Sequence, residues 1–195
     1  MRRVLVFWVF VVGICASWQS VMAQSSGWQQ NTQLLPQYCK DRVKGINSTE
    51  FARWRRTFGD VFPHVHHYCN GIFAEQKARA TLLDRQERQR WLTTVVSEMR
   101  YVSRHCPTSC VLYPELHTRL GWALQETGQT SQAVAQFQLA IKAKPEYVPA
   151  YAKLADAYAE INRPDDARRV LQEGLEAKPG SSMLQRRLRE LKASP

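Results

Sequence analysis

Residues 120–145 read LGWALQETGQTSQAVAQFQLAIKAKP, and residues 154–179 read LADAYAEINRPDDARRVLQEGLEAKP. The two stretches are one pattern written twice, 34 residues apart: Leu120, Gly121, Leu124, Ala133, Phe137, Ala140 and Pro145 return as Leu154, Ala155, Tyr158, Ala167, Leu171, Gly174 and Pro179. Within each copy the apolar residues recur at three- and four-residue spacing, so each copy holds two amphipathic helices. Glycine inside a helix costs roughly 1 kcal/mol relative to alanine, so Gly121 is expected where two helices cross closely, with Ala133 facing it. Ala155 and Ala167 take those places in the second copy. Between the helices, Thr127-Gly128-Gln129-Thr130 and Ile161-Asn162-Arg163-Pro164-Asp165 are turn sequences, and Pro164 suits a first helical turn. Lys144-Pro145 and Lys178-Pro179 end the second helices, because the residue before proline is driven out of the helical region.

A 34-residue unit with small residues at its eighth and twentieth positions, large apolar ones between them and proline at its thirty-second resembles the tetratricopeptide repeat. The resemblance covers 114–181 well and 62–113 loosely. It predicts an all-α fold, a short solenoid of helical hairpins, with units at 114–147 and 148–181. A capping helix over 182–195 carries Leu184, Leu188 and Leu191. Such arrays usually need about three units, so an upstream element must cover Leu116 and Leu120. The resemblance also implies that the first helices of successive units line a concave groove that holds a partner's peptide segment. By position Thr118, Trp122, Gln125, Lys153, Asp156, Ala159 and Glu160 face that groove. Trp122 is expected as a partly exposed aromatic anchor, the alternative being that it packs against the upstream hairpin. The best-known groove of this family clamps a C-terminal carboxylate with lysines and asparagines. Thr118 and Trp122 stand where that clamp has such residues, so its specificity is not expected here.

The half before the repeats, residues 24–113, is expected to be a helical region bearing the cysteines and most of the histidines. Aligning Pro107 with Pro145 puts Val95, Met99 and Val102 where Ala133, Phe137 and Ala140 stand. Gly71 then serves as the small residue of a first helix, twelve residues too far from Val95. The stretch 62–113 is therefore expected to be a divergent, elongated hairpin supplying the third unit. Upstream, Ser25 to Asn31 is a polar leader, and a short helix after Pro36 breaks near Gly45. Ser48 or Thr49 can cap a helix whose apolar face, Phe51, Trp54 and Phe58, is expected to pack on the repeats.

Residues 1–23 have the form of an export signal: Arg2 and Arg3, an uncharged apolar run from Val4 to Ile14, and Val21-Met22-Ala23 before Gln24. The alternative is an inner-membrane anchor through residues 4–22. Export leads to a periplasmic or secreted protein, where an even number of cysteines favours disulfides. Cys39, Cys69, Cys106 and Cys110 allow three pairings. Cys39–Cys69 with Cys106–Cys110 is preferred, because Cys106-Pro-Thr-Ser-Cys110 closes a tight loop while the other two lie on separate helices. Thiol–disulfide exchange chemistry would need Cys-x-x-Cys at a helix start, and the spacing here is Cys-x-x-x-Cys.

His64 and His67 share one helix face and are weak candidates for metal ligands, against the plainer reading of bonded or solvated side chains. No cofactor is expected. The charge is uneven: residues 24–113 hold thirteen Lys or Arg against seven Asp or Glu, and residues 114–195 hold twelve against ten. Arg53, Arg55, Arg56, Arg85 and Arg88 make a candidate basic face for an anionic polymer, lipid headgroups or an acidic partner, rather than nucleic acid in an exported protein. No phosphate loop, dinucleotide fingerprint, nucleophile elbow or zinc-protease motif is present, so an enzyme is not expected. The expected function is a non-catalytic protein–protein interaction adaptor of the bacterial cell envelope, supporting assembly or secretion of a surface polymer or pilus. The alternative is a periplasmic metal- or anionic-polymer-binding protein that uses the His64–Cys69 segment and the basic face.

Overall fold

The computed structural model of the chain describes residues 33–80 and 84–193. The export signal or anchor at 1–23 and the polar leader at 25–31 lie outside the described residues. The elements are α1 (Gln37–Arg42), α2 (Thr49–Phe58), a 3-10 helix (Gly59–His64), α3 (Val65–Ala78), α4 (Arg85–Ser103), α5 (Tyr113–Glu126), α6 (Thr130–Ala143), α7 (Val148–Glu160), α8 (Pro164–Ala177) and α9 (Ser182–Ala193). The fold is all-α. Among the described residues no helix is long and apolar enough to cross a membrane.

Three hairpins stack in chain order, α3 on α4, α5 on α6 and α7 on α8, and α9 closes the far end. The two clear repeats turn identically. Gln129 N–H reaches back to the Leu124 carbonyl and Arg163 N–H to the Tyr158 carbonyl, at 2.8 and 2.9 Å. Each bond needs a left-handed residue just before it, which Gly128 (φ 76°) and Asn162 (φ 58°) supply. Lys144 and Lys178 leave the helix in extended conformation ahead of their prolines.

The first hairpin follows the same plan with longer arms. Val95, Met99 and Val102 are buried without exposure, as Ala133, Phe137 and Ala140 are. A Cβ at Gly71 would stand 2.5 Å from Met99 Cε, and one at Gly121 would stand 2.4 Å from Phe137 Cε1. Gly71–Met99 and Gly121–Phe137 are therefore the same crossing in two units. The elongation falls at the closed end of the hairpin. Relative to α5 and α6, about seven of the extra residues lengthen the start of α4, two the end of α3 and three the turn.

The two crossings answer differently to a methyl group. Met99 meets Gly71 with the far end of an unbranched, pliable side chain, whereas Gly121 meets the face of a fully buried ring. Gly71→Ala is expected to be neutral or to gain up to ~1 kcal/mol of helix propensity. Gly121→Ala is expected to lose about 1–3 kcal/mol through overpacking. Urea denaturation of the two variants checks this, and equal effects would mean that Met99 gives way no more readily than Phe137.

Ahead of the hairpins, α1, α2 and the 3-10 helix form a small lobe. Ser48 caps α2 by accepting the Phe51 N–H at 3.1 Å. The apolar face of α2 does not lie on the repeats, as its pattern suggested. The short loop after α1 folds it back, so Trp54 and Phe58 meet Tyr38, with ring centroids 5.9 and 5.0 Å apart, and Phe51 meets Phe62 at 4.8 Å. Asp41, 1% exposed, holds this return together. It accepts the Trp54 indole N–H at 2.8 Å and bonds from Gln37 and Arg53, and pairs with Lys44 at 2.9 Å. These partners, the Trp54 bond first, pull its carboxyl down to about 2. The Cys39 and Cys69 sulfurs are 2.04 Å apart and tie α1 to α3, and Cys106 and Cys110 bridge the link between α4 and α5.

Candidate partner-binding groove

The first helices of the hairpins, α3, α5 and α7, and then α9, stand side by side and line one surface of the stack. Two clefts open along it. The first, about 170 Å³, is lined by Glu75 and Arg79 from the α3 end, Glu115, Thr118, Arg119 and Trp122 of α5, Tyr147, and Lys153 of α7. The second, about 200 Å³, lies between α7 and α9 and is lined by Ala155, Asp156, Ala159, Leu171, Arg187, Glu190 and Leu191. Lys153 and Asp156 are one helical turn apart on α7, so the clefts are successive parts of one groove.

Of the groove residues expected from sequence position, Thr118, Trp122 and Lys153 line the first cleft and Asp156 and Ala159 the second, Gln125 and Glu160 line neither, and Trp122 and Thr118 differ in state. Trp122 is not a partly exposed anchor. It is 4% exposed and lies beneath the Arg79 guanidinium, 3.9 Å from its ring centroid. Running two residues further past its crossing glycine than α5 does, α3 carries Arg79 over the Trp122 ring, and a cation held over an indole contributes about 0.5–2 kcal/mol. Thr118 is also buried, its hydroxyl donating to the Pro114 carbonyl at 2.8 Å. Gln125 donates to Glu160 at 2.5 Å, linking α5 to α7. Asp156 pairs with Arg187 of α9, and Lys153 approaches it only to 3.5 Å.

Position in the repeat did not identify the charged centre of the first cleft. Arg119 joins Glu115 at 2.7 Å to Glu75 at 2.5 Å, and Arg79 Nε meets the other Glu75 oxygen at 2.9 Å. Burial works against the Arg119 charge, but Tyr68, Glu75 and Glu115 outweigh it and hold its pKa above the usual arginine value. Burial, then Glu115, pushes the Tyr147 hydroxyl up to about 12, so it stays a neutral donor. The Glu75–Arg79 and Glu115–Arg119 spacings of four were the available signal. Arg79 uses only its Nε in that pair, and Lys153 has only its long contact with Asp156. These two cations and the Tyr147 hydroxyl are the donors the cleft offers to an incoming chain.

The candidate basic face is divided between helices and partly engaged. Arg53 is turned to Asp41 at 3.2 Å, and Arg88 pairs with Glu126 of α5 at 2.5 Å while donating to the Ala78 carbonyl. Arg55, Arg56 and Arg85 are exposed. Both weak metal candidates have bonded rings: His64 Nδ1 lies 3.1 Å from the Tyr101 hydroxyl and His67 Nδ1 lies 2.6 Å from Glu98. Among the described residues no group of three or more His, Cys, Asp or Glu side chains is placed to hold a metal ion.

The sequence pattern of the tetratricopeptide repeat family matches residues 124–193. Among solved structures, a thermophilic tetratricopeptide repeat protein of Thermus thermophilus is similar with a TM-score of 0.60 at 18% identity, over 80% of this chain and 87% of that one. The Sgt2 tetratricopeptide repeat domain from Aspergillus fumigatus is similar over 63% and 76%, at 18% identity and a TM-score of 0.48. The first such domain of Spaghetti (RPAP3), solved bound to the HSP90 peptide SRMEEVD, is similar over 63% and 92%, at 16% identity and a TM-score of 0.47. At 18% identity what is shared with the Thermus protein is the fold. Among curated proteins, no relative matches this sequence.

Proposed function

Because the chain is a tetratricopeptide repeat protein through residues 124–193, we propose that it is a non-catalytic adaptor that holds a segment of a protein partner along the surface of α3, α5, α7 and α9. The observation that carries this reading is the pair of aligned clefts on that surface, with Arg79, Lys153 and Tyr147 bordering the first. A groove of this kind binds by many modest contacts rather than by chemistry on a substrate. The adaptor works in the bacterial cell envelope, supporting assembly or secretion of a surface polymer or pilus. The signal-like sequence at 1–23 and the two disulfide pairs favour an exported, oxidising setting.

Site-specific photocrosslinking in envelope extract tests this reading. A photoreactive residue at position 153 is expected to capture one discrete partner, and the further change Arg79→Ala is expected to weaken that capture about 5- to 30-fold, as loss of a groove contact of about 1–2 kcal/mol would. Capture at position 55 with none at 153 would move the interface to the lobe and overturn the groove.

A further inference from the structure

Beyond the groove, the histidine segment forms a cluster with a residue far along the chain. His64, at the end of the 3-10 helix, lies flat on His105, just past α4, with ring centroids 3.7 Å apart and planes inclined by 6°. The Tyr101 ring stands 3.9 Å from His67 and 4.9 Å from His105, and Arg104 stands over it at 5.6 Å. Glu98 of α4 accepts from Asn70 at 2.8 Å on the oxygen that His67 does not use. From α2 the 3-10 helix meets Phe51 and Phe58, whose rings contact Phe62. His66 lies alongside on α3, its Nδ1 2.9 Å from the Pro63 carbonyl. The groups that face His64 are thus His67 from α3, Tyr101 from α4 with Glu98 one turn before it, and Arg104 and His105 beyond α4.

Two imidazoles stack face to face when at least one is neutral, and they repel when both carry charge at this separation. Burial, then the charges of His105 and His67, holds His64 below the ordinary histidine value. A base with its folded pKa depressed binds fewer protons folded than unfolded. Its contribution to stability is therefore complete above the unfolded value of about 6.5 and is lost as the pH falls through the folded one. Burial first, and then His67, also depresses His66, so it acts in the same direction.

We propose that the His64–His105 stack is a proton-operated latch: neutral, it clasps the 3-10 helix to the end of α4, and doubly protonated, it parts and releases that helix. The main chain from His64 to Val65 keeps the 3-10 helix joined to α3, and the Cys39–Cys69 bridge holds α1 on α3 as well. Acid therefore loosens one contact of the lobe without detaching it.

Amide hydrogen exchange on the oxidised full chain, corrected for intrinsic rates, tests the latch. Between pH 7.5 and 5.0, exchange in residues 59–65 is expected to rise about tenfold or more, while α7 and α8 change less than about twofold. His105→Phe keeps a ring and removes the charge, so it is expected to abolish most of the rise. His64 is expected to titrate by NMR below the ordinary histidine value. A flat wild-type profile, or an equal rise in His105→Phe, overturns the proposal. If that variant does not fold, the wild-type titration decides, and a His64 curve at or above the ordinary histidine value overturns the latch.

Discussion

Phe137→Ala is expected to cost about 3–5 kcal/mol, the range for emptying a well-packed aromatic site. In a chain of this size that corresponds to a fall in Tm of about 6–20 °C. The ring has no solvent exposure and lies against the backbone of α5, where Gly121 leaves it room. Because Gly121 has no side chain to move inward, the slot left by the ring cannot close without shifting α5 as a whole. Position 171 in the next repeat offers a comparison, since Ala155 already fills part of the equivalent slot beside the smaller Leu171. Leu171→Ala is thus expected to fall at the low end of the roughly 2–5 kcal/mol typical of leucine truncation. Chemical denaturation measures both. A cost below about 1 kcal/mol for Phe137→Ala would mean that α5 and α6 do not cross at Gly121. Adding Gly121→Val is expected to recover part of the loss, and the double-mutant cycle reads their coupling directly.

Replacing both Cys39 and Cys69 by serine is expected to cost about 3–4 kcal/mol, from the chain entropy released when a loop of roughly thirty residues is no longer closed. The same exchange at Cys106 and Cys110 is expected to cost about 2 kcal/mol, since the loop they close is only four residues long in separation. The difference has a structural counterpart. Cys39–Cys69 cross-links α1, at the start of the lobe, to α3 across some thirty residues, and Cys106–Cys110 fixes only a turn between two helices that already pack on each other. Denaturation of the two serine pairs, with the oxidised protein as reference, provides the comparison. A larger loss from the short loop would show that native geometry at the α4–α5 junction outweighs loop length.

The fold was legible wherever a residue is dictated by its immediate neighbours. Gly121, Phe137, Ala133 and their partners 34 residues on are fixed by close helix crossings, and Gly128 and Asn162 by left-handed turns, so their spacing carries the architecture. Even the divergent hairpin was legible at Gly71, Met99 and Pro107, because its additions fall at the turn end and leave the crossing intact. The cleft lining was legible in part and its state was not: Thr118, Trp122, Lys153 and Asp156 line the clefts, and Gln125 and Glu160 do not. Trp122 stands on the groove side as its place in the repeat requires, yet its burial depends on Arg79, whose reach depends on how far α3 runs. His64 and His105 are far apart in the sequence, and no local pattern announces that they touch. The placement of α2 was misjudged for a related reason. An apolar helical face states that something must cover it, and only the loop before α2 decides that Tyr38 and Phe62 do so.

Both bridges lie wholly upstream of α5. A chain delivered from its N-terminus can therefore close them while the last two hairpins are still unmade. Each later hairpin packs on the one before it, α5 on α4 and α7 on α6, so the cross-linked part offers the next hairpin a constrained surface. The cross-linked part of the stack is thus its N-terminal part, and the hairpins toward α9 are held by packing alone.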